Sequence, residues 1–74
     1  MIKLQWRHTG GETETWWDNF YDHCYEIQRR DRYDFVTEAI IDELKKWDAI
    51  FDLDDRCVIF RRKRDATMFL LRWA

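Results

Sequence analysis

The chain has 74 residues, of which 38% are charged and 18% aromatic, and its formal net charge is −2. This length suits one small domain over residues 1–74, and a sequence with no proline and only two glycines offers no linker. No apolar run approaches the ~18 residues of a membrane span, and the first residues lack the apolar core of a secretory signal. We therefore expect a cytoplasmic protein with no membrane contact, in which Cys24 and Cys57 are reduced thiols.

The first predicted element is a β-strand over residues 2–7. Ile2, Leu4 and Trp6 alternate with polar residues there, which is the period-2 pattern of a strand with one buried face. Gly10 and Gly11 then interrupt the chain before the next element.

Two helices are predicted to follow the glycines. The first begins near Thr15, because Asp18 stands at the spacing of a capping box. The second begins after Asp34, a plausible N-cap residue. Both segments carry apolar residues at helical spacing, which predicts one buried stripe on each helix. The stripes are Trp17, Phe20, Cys24 and Ile27 in the first helix, and Val36, Ile40, Leu44 and Trp47 in the second.

The C-terminal residues predict a β-hairpin, because two apolar runs flank a short charged segment. In the predicted register Phe60 lies opposite Phe69, and Val58 lies opposite Leu71. Both faces of this hairpin are apolar, so the face that the helices leave open needs the surroundings of the N-terminal strand, a second copy or another partner. Association through that face predicts a possible homodimer with a two-fold axis.

These elements in the order β-α-α-β-β predict an α+β fold in which two helices pack on a three-stranded antiparallel sheet. The chemistry is sparse, because the sequence has no serine and no glycine-rich phosphate loop. His23 and Cys24 are adjacent in a predicted helix, so they point roughly 100° apart and do not form a catalytic dyad. The acidic segment from Asp48 to Asp55 lacks the glycine and glutamate of a calcium loop. We expect no enzyme, no cofactor and no metal site.

Aromatic residues beyond those needed for the core predict a protein-binding function. Tyrosine and tryptophan are common interface hot spots, and Tyr21 and Tyr25 are one helical turn apart beside acidic residues. The sequence is typical of a small inhibitor or regulator that acts on another protein, of the kind that phages and mobile elements encode. The sequence does not identify that partner protein. The predicted protein-binding residues are Trp16, Asp18, Tyr21, Asp22, Tyr25, Met68 and Leu70.

Nucleic-acid binding through the basic hairpin and strand face is the alternative, because basic residues beside exposed aromatic surface form a platform on which single-stranded bases stack. Charge is also strongly segregated along the chain. Residues 12–55 carry a net charge of −9, and the two ends together carry +7. An isoelectric point near 5.6 argues against this alternative, since nucleic-acid-binding domains are commonly basic. The sequence indicates no specific family. The predicted nucleic-acid-binding residues are Lys3, Arg7, Arg61, Arg62, Lys63, Arg64 and Arg72.

Overall fold

The structure is a computed structural model that describes all 74 residues, and it consists of three helices and one three-stranded antiparallel sheet. It confirms the predicted α+β class and a three-stranded antiparallel sheet, although one of the three strands is not the one predicted. In chain order the elements are β1 (Ile2–Gln5), α1 (Thr15–Arg30), α2 (Val36–Lys45), β2 (Ala49–Asp52), β3 (Cys57–Phe60) and α3 (Lys63–Trp73).

The sheet has the strand order β1-β3-β2, so β3 pairs with a neighbour on each side. Leu4 and Phe51 both lie opposite Val58, and these three side chains point toward the helices. The side chains of the neighbouring row, two residues away on each strand, point the same way. Because side chains alternate along a strand, the remaining positions form the outer face of the sheet. The outer face consists of Lys3, Gln5, Ile50, Asp52, Cys57 and Ile59.

The predicted C-terminal hairpin is wrong. Residues 63–73 form the helix α3, and β3 pairs instead with β2, a segment outside every strand and helix predicted from the sequence. The order of elements is therefore β-α-α-β-β-α, with three helices in place of the predicted two. The physical reason lies in the spacing of buried residues, since a helix buries Ala66 and Phe69 while leaving Leu71 72% exposed. A strand would have placed Phe69 and Leu71 on the same face.

This correction removes the argument for a homodimer through the hairpin. The second apolar face that needed covering does not exist, because α3 carries those residues into the helical layer. The remaining outer face of the sheet is mixed in character, with Lys3 and Asp52 beside Ile50 and Ile59.

The predicted helical stripes are largely confirmed, and they meet α3 in a single core. All four stripe residues of α1 are buried. In the second stripe Ile40 and Leu44 are buried, whereas Val36 and Trp47 are half-buried at the edge of the core. At the centre lies Phe69, fully buried, whose ring contacts those of Phe20 at 4.9 Å between centroids and Phe60 at 5.2 Å.

The helix starts differ in detail from the prediction. α1 begins at Thr15 as predicted, but no capping box forms, since Glu14 is the N-cap residue and its side chain makes no cap hydrogen bond. α2 has Phe35 rather than Asp34 at its N-cap. β1 ends at Gln5, two residues earlier than predicted, and an isolated bridge between Arg7 and Thr13 continues the pairing beyond it.

Candidate protein-binding surface

Four of the predicted protein-binding residues share one exposed face of α1. Asp18, Tyr21, Asp22 and Tyr25 follow the spacing i, i+3, i+4 and i+7, which places their side chains side by side on a helix. Tyr21 is 38% exposed and Tyr25 47% exposed. Glu26 extends the same face by one position. We call these five residues the acidic–tyrosine face.

The aromatic core holds this face toward solvent. The ring of Trp17 stacks on Trp6 at 4.5 Å between centroids and on Phe51 at 5.6 Å, which fixes α1 against the sheet. The ring of Tyr21 lies against Trp17 at 6.1 Å. One tyrosine of the face is therefore supported by the core, so that its orientation is partly set before any partner binds.

The carboxylates of the acidic–tyrosine face have no cationic partner. No lysine, arginine or histidine nitrogen lies within 4.0 Å of Asp18, Asp22 or Glu26, although five other acids of the chain make such pairs. Asp18 accepts one hydrogen bond from the Thr13 hydroxyl, at 2.6 Å. Like charges four residues apart on a helix repel each other by about 0.2–0.5 kcal/mol per pair. A basic surface placed against this face would offset that repulsion.

The other predicted protein-binding residues lie elsewhere. Trp16 is half-buried, with its ring edge-on to Phe69 at 5.8 Å, so it belongs to the rim of the core. Met68 and Leu70 belong to α3, where Met68 is 54% exposed and Leu70 is half-buried. The structure thus joins the α1 residues into one surface and leaves the α3 residues apart from it.

Two of the predicted nucleic-acid-binding residues, Arg7 and Arg72, lie apart from the other five. Arg7 lies beyond the end of β1, whereas Arg61 follows Phe60, which pairs with the beginning of β1. Arg72 lies over the ring of Trp73 at 4.7 Å, near the end of α3. The run from Arg61 to Arg64 is not the predicted hairpin turn, since it connects β3 to the first turn of α3. The outer face of the sheet bears no aromatic side chain, so the predicted base-stacking platform is absent.

One surface cavity of about 350 Å³ lies where α2, β2 and β3 meet. Lys45 and Arg61 provide two cations at its wall, and Arg61 approaches Asp48 at 3.6 Å. The remaining lining includes the apolar side chains of Ala49 and Ile50. This cavity holds no pair of nucleophile and base.

The two cysteines are buried free thiols. Burial raises the pKa of Cys24 to about 12, and the nearby carboxylate of Glu43 adds to this shift. Burial also raises the pKa of Cys57. A thiol is nucleophilic only as the thiolate, so neither residue is arranged for covalent catalysis.

The raised pKa of Cys24 predicts a loss of stability in alkali. The unfolded chain releases this proton near pH 9.0, whereas the folded chain keeps it up to about 12, so the free energy of unfolding falls as the pH rises above 9.0. The slope approaches about 1.4 kcal/mol per pH unit, which gives roughly 2 kcal/mol by about pH 10.5. Urea unfolding near pH 8 and near pH 10.5 measures this loss of stability. Cys24→Ala should show a smaller fall in the free energy of unfolding between these two pH values. An equal fall in the wild type and the variant would contradict the assignment of the effect to Cys24.

The structure also bears on metal binding and on membrane spanning. No group of three or more histidine, cysteine or acidic side chains is placed to hold a metal ion. None of the three helices has the length and apolarity that crossing a membrane requires. Comparison with models of known protein families, with curated proteins and with solved structures finds no match. The surfaces of this chain are therefore the basis for a function.

Proposed function

We propose that this protein is a small non-catalytic binding module that docks the acidic–tyrosine face of α1 on a basic surface of another protein. One observation carries the proposal: two exposed tyrosines alternate with three carboxylates that lack any cationic partner. Tyrosine offers a large contact area at a low entropic cost, together with a hydroxyl group for hydrogen bonding. Unpaired carboxylates beside it favour a partner rich in lysine and arginine.

The mechanism combines steering with desolvation. The carboxylates of Asp18, Asp22 and Glu26 attract a positively charged surface over a distance of about 8–10 Å at physiological salt. The rings of Tyr21 and Tyr25 then bury apolar area and accept cation–π contacts from arginine or lysine. A partner covered in this way loses access to any anionic ligand of the same surface, which is how a small inhibitor or regulator acts. Two buried free thiols suit a reducing compartment, so we place this activity in the cytosol.

The exposed apolar residues of α3 are a weaker candidate for partner binding than the acidic–tyrosine face. Met68 and Leu71 are 54% and 72% exposed and stand one turn apart, but no exposed aromatic ring accompanies them, and Asp65 is the one acid of α3. They therefore provide a control surface, with side chains about as exposed as those of the acidic–tyrosine face.

Substitution of the two tyrosines tests the proposal. The variant Tyr21→Ala/Tyr25→Ala should weaken binding to the partner by at least about 100-fold, because each hot spot is worth about 2 kcal/mol or more. Asp18→Asn/Asp22→Asn should lose binding of the same partner and reduce its dependence on salt. Immobilised wild-type and variant proteins, with quantitative mass spectrometry of the captured proteins, provide the comparison.

Two matched variants give this experiment its controls. Met68→Ala/Leu71→Ala removes exposed apolar area from α3, and Asp54→Asn/Asp55→Asn removes two exposed acids from the turn before β3. Both should retain the partner that the α1 variants lose. Loss of the same partner from either control, or its retention by both α1 variants, would refute the assignment to α1.

A further inference from the structure

A second charged surface includes part of the outer face of the sheet, the C-terminal end of α2 and the N-terminal end of α3. Lys3 pairs with Ile59 and lies on the outer face of the sheet, and Arg61 directly follows the last residue of β3. Lys45 and Arg61 line the same surface cavity. The three cations that follow Arg61 continue this surface into the first turn of α3. We call it the basic patch, and it consists of Lys3, Lys45, Arg61, Arg62, Lys63 and Arg64.

Most of the basic patch is uncompensated by acids. Arg62, Lys63 and Arg64 have no carboxylate within 4.0 Å, and the same holds for Lys3. The other two members make only long, exposed ion pairs: Arg61 with Asp48 at 3.6 Å and Lys45 with Asp42 at 3.5 Å. A more highly charged anion easily replaces the carboxylate in such a pair, because the pair is exposed to water and therefore weak.

The fold gives no reason for these cations. Arg62, Lys63 and Arg64 stand at the positive end of the α3 dipole, where cations are unfavourable. Arg29 and Arg30 provide the contrast, since they stand in the last turn of α1, where the dipole favours positive charge. A local arrangement that opposes folding is characteristic of a functional surface.

The shape of the basic patch indicates the kind of anion. Its six cations come from three places in the fold, namely β1, the wall of the cavity and the start of α3, so they suit several phosphates of one chain better than a single phosphate. The outer face has no aromatic ring for base stacking and offers only Ile50 and Ile59 between the charges. We infer that the basic patch binds the phosphate backbone of a nucleic acid without selecting its bases. This inference is independent of the proposed function of α1.

Binding to duplex DNA as a function of salt tests the inference. With a fluorescent duplex of about 20 base pairs, the logarithm of the association constant should fall linearly with the logarithm of salt, by about 0.9 per phosphate contacted. Arg62→Gln/Lys63→Gln/Arg64→Gln should bind more weakly and lose roughly 2.7 from the magnitude of that slope. The same variant should melt at a higher temperature than the wild type, which shows that lost binding is not lost folding.

The matched control removes three cations of the same kind from the end of α1. Arg29→Gln/Arg30→Gln/Arg32→Gln has the same net charge as the patch variant and should keep the wild-type slope. Tyr21→Ala/Tyr25→Ala should also keep it, which separates this site from the proposed protein-binding face. Equal slopes for the two triple variants, or no binding of the duplex at about 25 mM salt, would overturn the inference. Binding of a sulfated polysaccharide in place of DNA would overturn it as well.

Discussion

Replacing Phe69 with alanine is expected to lower the free energy of unfolding by about 3–5 kcal/mol, because the ring is fully buried and its removal leaves a cavity. The ring joins three parts of the core, contacting Phe20 of α1, Phe60 of β3 and Trp47 at centroid distances of 4.9, 5.2 and 5.4 Å. A domain of this size has a total stability of roughly 4–11 kcal/mol, so this single change removes much of it. Urea denaturation followed by far-ultraviolet circular dichroism measures the loss.

Leu71→Ala is the matched control, and it should change stability by no more than about 0.5 kcal/mol. Leu71 is 72% exposed although it stands only two residues from Phe69 in the same helix. A β-strand would place both residues on one face and make both substitutions costly. Similar losses for the two variants would therefore contradict the assignment of residues 63–73 to a helix.

Trp17→Ala is expected to cost about 3–5 kcal/mol as well, because its indole is only 5% exposed. The ring stacks on Trp6 and Phe51, and these two contacts attach α1 to the sheet. The substitution should also loosen the orientation of Tyr21, whose ring lies against it. Thermal unfolding measures the stability, and hydrogen exchange of the α1 amides measures the loosening.

Trp16→Ala provides the comparison, since it removes the same side chain from the adjacent position. Trp16 is half-buried and meets Phe69 and Trp17 edge-on, so the expected cost is smaller, about 1–3 kcal/mol. A loss at Trp16 equal to that at Trp17 would show that the buried stripe of α1 is assigned to the wrong residues.

The buried stripe of α1 could be predicted from the sequence because it is long and strictly periodic. Four apolar residues at helical spacing over three turns leave no alternative to a helix. The exposed face followed from the same spacing, which placed Asp18, Tyr21, Asp22 and Tyr25 on one side. Only the structure shows that the acids of this face lack ion-pair partners.

The C-terminal third was mispredicted because its local signals are ambiguous. Four cations in a row are typical of a turn, and cations at a helix start give no helix signal. The short apolar run around Phe69 fits a strand as well as a helix. β2 has only four residues and precedes an acidic turn in which Asp52 accepts hydrogen bonds from the backbone of Asp54 and Asp55. Such a strand is recognisable only from its pairing with β3.

The basic patch could not be predicted as a unit for a related reason. Lys3, Lys45 and Arg61 are far apart in sequence and come together only through the strand order β1-β3-β2 and the position of α2 beside β2. The sequence therefore predicted the cations of residues 61–64 but grouped them with Arg7 and Arg72, which lie at other places in the fold. Long-range pairing of this kind is not encoded in local periodicity.

Site-specific photo-cross-linking tests the central claim, that α1 binds a basic protein surface, most directly. The photoreactive aromatic residue p-benzoylphenylalanine replaces Tyr25 in one protein and Leu71 in another, so that both probes are exposed but lie on different helices. We expect the probe at Tyr25 to cross-link a partner within a segment rich in lysine and arginine, and the probe at Leu71 to give no cross-link to it. Cross-linking from Leu71 but not from Tyr25 would contradict the claim.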